Sequence, residues 1–187
     1  KKIDPTIATD LRYWQAIRSI IERPIWIMAY RDDILENDFY LELAKNKLFD
    51  ALVIPDMTFH ERAQLQEKLS EHNVDVVGFI RPGMEEMELK LTLSNQTLIY
   101  HQLYAGPTGM ANNSEDYERL LKQAKKYKHV KLFAGFGIST PERVEELLSK
   151  GFDGTIVGTA MMKKLNISIE ELILFIKSIK DVSGREA

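Results

Sequence analysis

The segment Leu132-Phe-Ala-Gly-Phe-Gly-Ile-Ser-Thr-Pro-Glu142 carries the strongest structural signal in this sequence. The apolar run from Val130 to Ala134 predicts a buried strand, and this run is broken by Gly135 and Gly137. Glycine has no β-carbon, so the backbone at these positions can approach a ligand closely. The segment is therefore typical of a strand that ends in a ligand-binding turn.

A helix start follows this turn directly. Ser139 and Glu142 have the spacing of a capping box, and Pro141 suits the first turn of a helix. The N–H groups at the beginning of a helix have no partner within it, so they attract anions, most often phosphate. The turn and the helix start together predict an anion site.

A second turn of the same kind follows one strand-helix unit later, at Ile156-Val-Gly-Thr-Ala160. In parallel (β/α)8 barrels, a phosphate often lies between the loops after the seventh and eighth strands. Two successive glycine turns near the end of the chain match this arrangement. The pair therefore predicts that the ligand carries a phosphoryl group.

Composition places the chain among ordinary single-domain globular proteins. It has 187 residues, of which 44% are hydrophobic and 28% charged. The net charge of -3 gives no reason to expect a nucleic acid or an acidic membrane surface as partner. The sequence has no cysteine, which excludes disulfides and thiol catalysis within it and fits a cytoplasmic protein. No apolar run approaches the roughly 20 residues of a membrane-spanning helix.

Strand signals recur at a nearly constant interval and predict an α/β fold. They begin near residues 24, 51, 74, 97, 130 and 154, and helical patterns separate them. Each strand is an unbroken apolar run, which indicates a parallel sheet covered on both faces.

Two architectures fit six such units, an open doubly wound sheet and a (β/α)8 TIM barrel without its first one or two units. No dinucleotide-binding fingerprint follows the first strand, and the paired glycine turns favour the barrel. We therefore expect a single barrel domain over residues 1–187, with the first strands of the barrel absent from this sequence.

The sequence resembles the alpha chain of tryptophan synthase in five segments that occur in the order and close to the spacing of that family. Glycine turns recur in many phosphate-binding barrels, so the ordered set is more specific than any one segment. These segments are Pro24–Tyr30, Ala51–Asp56, Ala105–Gly109, Gly135–Glu142 and Gly154–Ala160.

The resemblance implies a lyase that cleaves indole-3-glycerol phosphate into indole and glyceraldehyde 3-phosphate in tryptophan biosynthesis. The family carries out this step without a metal or cofactor of its own. The resemblance also implies a partner, the tryptophan synthase beta chain, which carries pyridoxal phosphate and takes up the indole. It also implies a cytoplasmic location.

The reaction is a reverse-aldol cleavage, which needs an acid for the indole ring carbon, a base for a glycerol hydroxyl and a carboxylate near the indole nitrogen. The family's strand with the first catalytic glutamate has no counterpart in this sequence. Asp4-Pro-Thr-Ile7 resembles the family's Asp-Gly-Pro-Thr-Ile loop without its glycine. By this resemblance, Asp4 is the candidate catalytic carboxylate.

The resemblance also implies the residues that bind the substrate. Backbone N–H groups would hold the phosphate at Gly109, Gly137, Gly158 and Thr159. The alternative for these positions is a pair of tight turns with ordinary helix caps.

The remaining substrate would contact side chains near the ends of predicted strands and in the long loop after residue 103. The candidates near the indole are Phe136, Tyr100 and Tyr30, and Thr108 would contact the loop aspartate when the site closes. The alternative for each of the three rings is a core residue, since a tyrosine inside a barrel most often packs with one satisfied hydroxyl.

Three hypotheses remain open on the sequence. The first is the indole-releasing lyase, and the second is a non-catalytic relative that keeps the phosphate site and binds the beta chain. The third is another phosphate-sugar barrel enzyme, such as an epimerase or a thiamine-phosphate-type synthase. The four histidines are too scattered to suggest a metal site.

Overall fold

The computed structural model describes residues 5–104 and 116–184 of the chain. Within these residues the chain forms two compact units, which divide between Gly78 and Phe79. The predicted site residues Asp4, Thr108 and Gly109 lie outside the described residues. The expectation that the whole chain is one domain stays a prediction.

The first unit contains three short parallel strands and the helices between them. A 3-10 helix at Pro5–Thr9 precedes α1 (Leu11–Ile20), and β1 (Trp26–Met28), α2 (Arg31–Leu35), α3 (Phe39–Lys45), β2 (Ala51–Val53), α4 (Phe59–Ser70) and β3 (Asp75–Ile80) follow. The first two residues of β2, Ala51 and Leu52, pair with Trp26 and Ile27 on one side and with Asp75 and Val76 on the other. β3 begins in this unit, and its last two residues belong to the second.

Apolar side chains of the strands and helices form the core of the first unit, because both faces of a parallel sheet must be covered. The helix α4 begins with a capping box formed by Thr58 and Glu61. The Thr58 hydroxyl accepts a hydrogen bond from the backbone N–H of Glu61, and the Glu61 carboxylate accepts one from the backbone N–H of Thr58. The buried core side chains include Leu43, Leu48, Phe49, Leu52, Ile54, Leu65, Leu69 and Val76.

The second unit repeats the strand-helix order. It contains α5 (Glu86–Asn95), β4 (Leu98–Gln102), α6 (Asp116–Ala124), β5 (Lys131–Gly135), α7 (Pro141–Ser149), β6 (Gly154–Ile156), α8 (Thr159–Ile167) and α9 (Ile169–Ser183). β5 is the middle strand of three, since it pairs in parallel with β4 through Leu132↔Ile99 and with β6 through Gly135↔Ile156. Its buried core side chains include Ile99, Leu103, Leu120, Leu132, Ala134, Val144 and Leu147.

The observed strands confirm the sequence reading closely, because each begins within two residues of its predicted start. One local prediction is wrong. The N-cap of α7 is Thr140 and not Ser139, and the Thr140 hydroxyl accepts a hydrogen bond from the backbone N–H of Arg143 at 3.3 Å. Pro141 occupies the first helical position, as predicted, which leaves the residue before it as the cap. Among the described residues, no helix is both long enough and apolar enough to cross a membrane.

Candidate anion-binding site

The turn after β5 has a backbone conformation that few residues adopt. Phe136 has a φ of 72° and Gly137 a φ of 74°, so two successive residues lie in the left-handed region. A residue with a β-carbon is uncommon there, and a bulky one is rarer still. The strain at Phe136 indicates that the surrounding structure fixes this turn, which is a frequent property of ligand-binding segments.

Gly135 is required at the end of β5 because a tyrosine occupies the space of a side chain. A β-carbon at this position would lie 2.0 Å from the hydroxyl oxygen of Tyr100. The Tyr100 side chain comes from β4 and is only 3% exposed, so it has little room to move away. The absence of a β-carbon at Gly135 therefore lets the Tyr100 ring lie directly against the β5 backbone.

Three aromatic rings form a continuous surface beside this turn. The ring of Tyr100 is stacked on Phe79, with centroids 5.2 Å apart, and meets Phe136 edge to face at 6.1 Å. Burial raises the pKa of the Tyr100 phenol to about 12, so the hydroxyl stays neutral at ordinary pH. Phe79 and Tyr100 are buried, so a flat aromatic ligand would meet the half-buried Phe136, the outer member of this surface.

The turn after β6 is more open. Gly158 is the N-cap of α8, Thr159 is the first residue of that helix, and both are exposed. Apart from Gly158 itself and its two chain neighbours, no atom of the described residues lies within 4 Å of a β-carbon placed at this position. The first N–H groups of α8 thus begin at an accessible point, where an anion can approach them.

The parallel pairing of β5 and β6 brings the two turns to the same edge of the sheet. Gly135 at the end of β5 is the register partner of Ile156 at the end of β6, and each strand is followed at once by its turn and helix. In α/β proteins ligands bind at the carboxyl ends of the strands. Pro141 has no N–H and the Arg143 N–H is bonded to Thr140, so the donors that can face a ligand here are those of the turn before α7 and of the start of α8.

Tyr100, Phe136 and Gly137 lie together at the turn after β5, and Gly158 and Thr159 follow the adjacent strand β6. All five lie in the second unit. Tyr30 lies in the first unit, immediately before α2, and it is 60% exposed. Its backbone N–H donates a hydrogen bond to the Asp33 carboxylate at 2.9 Å. The roles assigned to these residues, and to Asp4, Thr108 and Gly109 outside the described segments, stay predictions.

Sequence reasoning missed two residues that shape the turn after β5. A β-carbon at Gly137 would lie 2.7 Å from the ring of Tyr104, which is 8% exposed. Arg143, in the first turn of α7, donates a hydrogen bond to the Tyr104 hydroxyl at 2.7 Å. Only the position of Arg143 close to the predicted helix start could have drawn attention to it, since its partner lies 39 residues away in the sequence.

The strand ends of the first unit have a different character, because charged side chains occupy them. The Asp56 carboxylate, which follows β2, accepts a hydrogen bond from the backbone N–H of Arg31 at 2.9 Å. The Arg31 guanidinium contacts the Glu61 carboxylate at 2.6 Å. Hydrogen bonds from Thr58 and from Arg31 lower the pKa of Glu61 to about 2. This network satisfies its own charges and helix ends, so it offers no open site for an anion.

The histidines give no sign of metal binding. His101 lies on β4 with no exposed surface, and its ring is 5.4 Å from that of Phe152. Neither ring nitrogen has a hydrogen-bond partner among the described residues, and burial lowers the pKa of His101 to about 3. Within residues 5–104 and 116–184, no three His, Cys, Asp or Glu side chains are grouped so that they could hold a metal ion.

Solved structures with the same fold define the class of protein. The chain superimposes on a tryptophan synthase structure from Mycobacterium tuberculosis with a TM-score of 0.80 and 21% identity, covering 92% of this chain and 68% of the other. Its TM-score against an alpha-subunit structure from Pyrococcus furiosus is 0.75, at 24% identity, over 93% of this chain and 72% of the other. The fold is therefore that of the parallel (β/α)8 barrels, and the described strands form part of one.

Sequence comparison then identifies the family. A model of the tryptophan synthase alpha chain matches residues 4–183, and the chain belongs to this family. It is 30% identical to the alpha chain of Bacillus licheniformis over 154 residues, which are 80% of this chain and 57% of the relative. It is also 30% identical to an alpha chain of Arabidopsis thaliana over 167 residues, 84% of this chain and 61% of the relative. The chain thus spans about three fifths of the length of these relatives.

Proposed function

We propose that this protein cleaves indole-3-glycerol phosphate into indole and glyceraldehyde 3-phosphate, as the alpha subunit of a tryptophan synthase. The observation that carries the proposal is the match of the family over residues 4–183, together with two adjacent glycine turns beside an aromatic surface. The turns suit a phosphoryl group and the Phe136 ring suits an indole, and both features support this substrate.

The phosphate would accept hydrogen bonds from backbone N–H groups at Gly137, Gly158 and Thr159. Gly109, outside the described residues, would be a fourth donor. The starts of α7 and α8 each contribute the positive end of a helix dipole, which favours a dianionic group over a neutral one. Because these donors belong to the backbone, their positions depend on the turns and not on flexible side chains.

The indole would pack on Phe136, with Tyr100 behind it and Tyr30 as a further candidate. An edge-to-face contact such as that of Tyr100 with Phe136 fixes the ring that would meet the substrate. Thr108 would contact the catalytic loop when the site closes. Since Tyr100 is buried and neutral, its part would be to support the aromatic surface and not to exchange a proton.

Asp4 would supply the carboxylate that stabilises positive charge on the indole nitrogen as the carbon-carbon bond breaks. The remaining requirements are a proton for the indole ring carbon and a base for the glycerol hydroxyl. No side chain of this sequence matches the family's first glutamate, so we assign neither of these two roles. We further propose that the beta chain of tryptophan synthase is the partner, that no cofactor is bound by this chain, and that the protein is cytoplasmic.

A second candidate function is that of a non-catalytic alpha-type subunit, which binds the phosphorylated ligand and activates the beta chain. This alternative requires only the glycine turns and the family match, and neither of the two proton-transfer roles left unassigned above. The family match offers no support for the third hypothesis, a different phosphate-sugar barrel enzyme.

An assay of indole release from indole-3-glycerol phosphate, with the beta chain present, tests the proposal. We expect release by the unmodified protein and a loss on the order of 10²-fold or more in Asp4→Asn, as for other groups that assist proton movement or charge development. The matched control is Asp181→Asn, on the exposed side of α9, which should keep full activity. Beta-chain activation and phosphate binding without indole release would establish the non-catalytic alternative instead.

A further inference from the structure

A group of aromatic and charged side chains lies directly beside the turn after β5. We call it the tyrosine–cation cluster, and its members are Tyr104, Tyr117, Arg143, Glu146 and Lys150. The two tyrosine rings meet edge to face with centroids 6.4 Å apart. Arg143 and Glu146 belong to α7, the helix that begins at the turn, and Lys150 is the C-cap of that helix. The cluster therefore links the helix to the tyrosines at one place.

Arg143 is the residue that holds this cluster together. Its guanidinium donates a hydrogen bond to the Tyr104 hydroxyl at 2.7 Å and pairs with the Glu146 carboxylate at 2.5 Å. The same group lies 6.0 Å from the ring centre of Tyr104 and 5.7 Å from that of Tyr117. Such contacts are favourable for a guanidinium over an aromatic face, so Arg143 is fixed in one orientation.

Tyr104 connects Arg143 to the turn, because its ring packs against the backbone of Gly137. Its ring lies so close to Gly137 that a β-carbon there would be 2.7 Å away. The backbone carbonyl of Tyr104 also accepts a hydrogen bond from the Gln102 side chain at 2.6 Å. The ring is thus held at its hydroxyl and at its backbone, and its face bounds the space in which the left-handed Gly137 can move.

We propose that Tyr104 and Arg143 are positioning residues, which hold the turn at Gly137 in the conformation that binds the phosphoryl group. This inference rests on the proposed function, because it assumes that the turn receives a phosphate. Backbone donors bind an anion tightly only when their directions are set before the ligand arrives. Neither side chain needs to touch the ligand for this effect.

Lys150 provides a matched control within the same cluster. Its ammonium donates hydrogen bonds to the Tyr117 hydroxyl at 2.6 Å and to the Glu118 carboxylate at 2.6 Å. These contacts resemble those of Arg143 in kind and lie at the C-terminal end of α7, away from Gly137. Loss of Lys150 should thus weaken the cluster without releasing the Tyr104 ring.

The test measures the affinity for inorganic phosphate and glycerol 3-phosphate by calorimetry, together with the melting temperature. We expect Arg143→Gln to weaken both affinities about 5- to 10-fold and Tyr104→Phe about 3- to 5-fold, since each removes the hydrogen bond that fixes the ring. Arg143→Lys should recover part of the loss, and Lys150→Gln should bind phosphate as the unmodified protein does. The amide resonance of Gly137 should shift on phosphate binding, and by less in the two weakened variants.

Three results would overturn the inference. Unchanged affinity in Arg143→Gln, with phosphate still bound by the unmodified protein, would show that the turn needs no such support. Loss of binding in Arg143→Gln but not in Tyr104→Phe would mean that Arg143 acts through its charge and not through the ring. Failure of the unmodified protein to bind either ligand would remove the phosphate site of the proposed function, and the inference with it.

Discussion

The turns after β5 and β6 both join a parallel strand to a helix through glycine, but their surroundings differ. Side chains of Tyr100 and Tyr104 occupy the space beside Gly135 and Gly137, whereas the space beside Gly158 is open. The first turn also has two residues with positive φ, and Gly158 has an ordinary φ of -113°. Packing and backbone conformation thus require glycine at the first turn. At the second turn, the open space beside glycine is accessible to a ligand.

This difference separates stability from binding. A substitution in the turn after β5 should destabilise or distort the fold, so that a change in ligand affinity could not be attributed to the turn alone. A substitution at Gly158 should leave the fold intact and act on the ligand alone. The four predictions below use this contrast, from the largest expected effect to the smallest.

Gly137→Ala should give the largest loss of stability. The left-handed backbone of an alanine should lower the free energy of unfolding by about 1 kcal/mol, and its contact with the Tyr104 ring by about 1–3 kcal/mol. The total loss should be about 2–4 kcal/mol. Urea unfolding followed by circular dichroism measures this change. Gly83→Ala is the control, since Gly83 also has a positive φ of 76° and no atom within 4 Å of its β-carbon position. Equal losses in the two variants would contradict a role for the Tyr104 ring.

Gly135→Ala should cost about 1–3 kcal/mol, because the new methyl group collides with the buried Tyr100 side chain. The double variant with Tyr100→Ala removes the obstacle, so the two changes should not add. A double-mutant cycle in urea would show a coupling free energy of at least about 1 kcal/mol. Strictly additive losses would mean that another contact makes glycine necessary at this position.

Alkaline pH should weaken the packing beside the first turn through Tyr100. Its pKa is about 12 in the folded protein and about 10 in an unfolded chain, so the unfolded state loses the proton first. The stabilisation is complete below pH 10 and is lost as the pH rises towards 12, with about 1.4 kcal/mol gone at pH 11. Unfolding free energies at pH 9 to 11 should fall less steeply in Tyr100→Phe than in the control Tyr13→Phe. Equal slopes would argue against this burial effect.

Gly158→Asp should change the unfolding free energy by less than about 0.5 kcal/mol, since aspartate is a favourable N-cap and the site is open. The added negative charge should nevertheless abolish phosphate binding, as measured by calorimetry. Gly158→Asn has nearly the same shape without the charge and should retain more of the affinity. If both variants bind phosphate as well as the unmodified protein, the second turn is not part of the anion site.

The first unit shows what makes the glycine turns distinctive. Its strand ends also meet helix starts, but Asp56 and Glu61 already supply acceptors for the N–H groups of Arg31 and Thr58. A protein carboxylate thus occupies the position that an external anion would take. At the turn after β6, in contrast, no side chain occupies the space beside Gly158.

The amino-acid sequence by itself determined the order of strands and helices, the parallel pairing and the two glycine turns. These features follow from short-range signals, namely unbroken apolar runs, the Thr58–Glu61 capping box and the glycine breaks. The same signals do not distinguish Ser139 from Thr140 as the N-cap of α7, because both residues carry a hydroxyl and both immediately precede Pro141, the first residue of the helix.

Only the tertiary structure decided why each glycine is needed and what supports the site. The contacts of Gly135 with Tyr100 and of Gly137 with Tyr104 join residues more than 30 positions apart in the sequence, and so does the bond from Arg143 to Tyr104. No local pattern encodes such contacts, because they arise when neighbouring parallel strands bring distant residues into register. Packing between strands therefore fixes the turn after β5 against Tyr100 and Tyr104 and leaves the turn after β6 open.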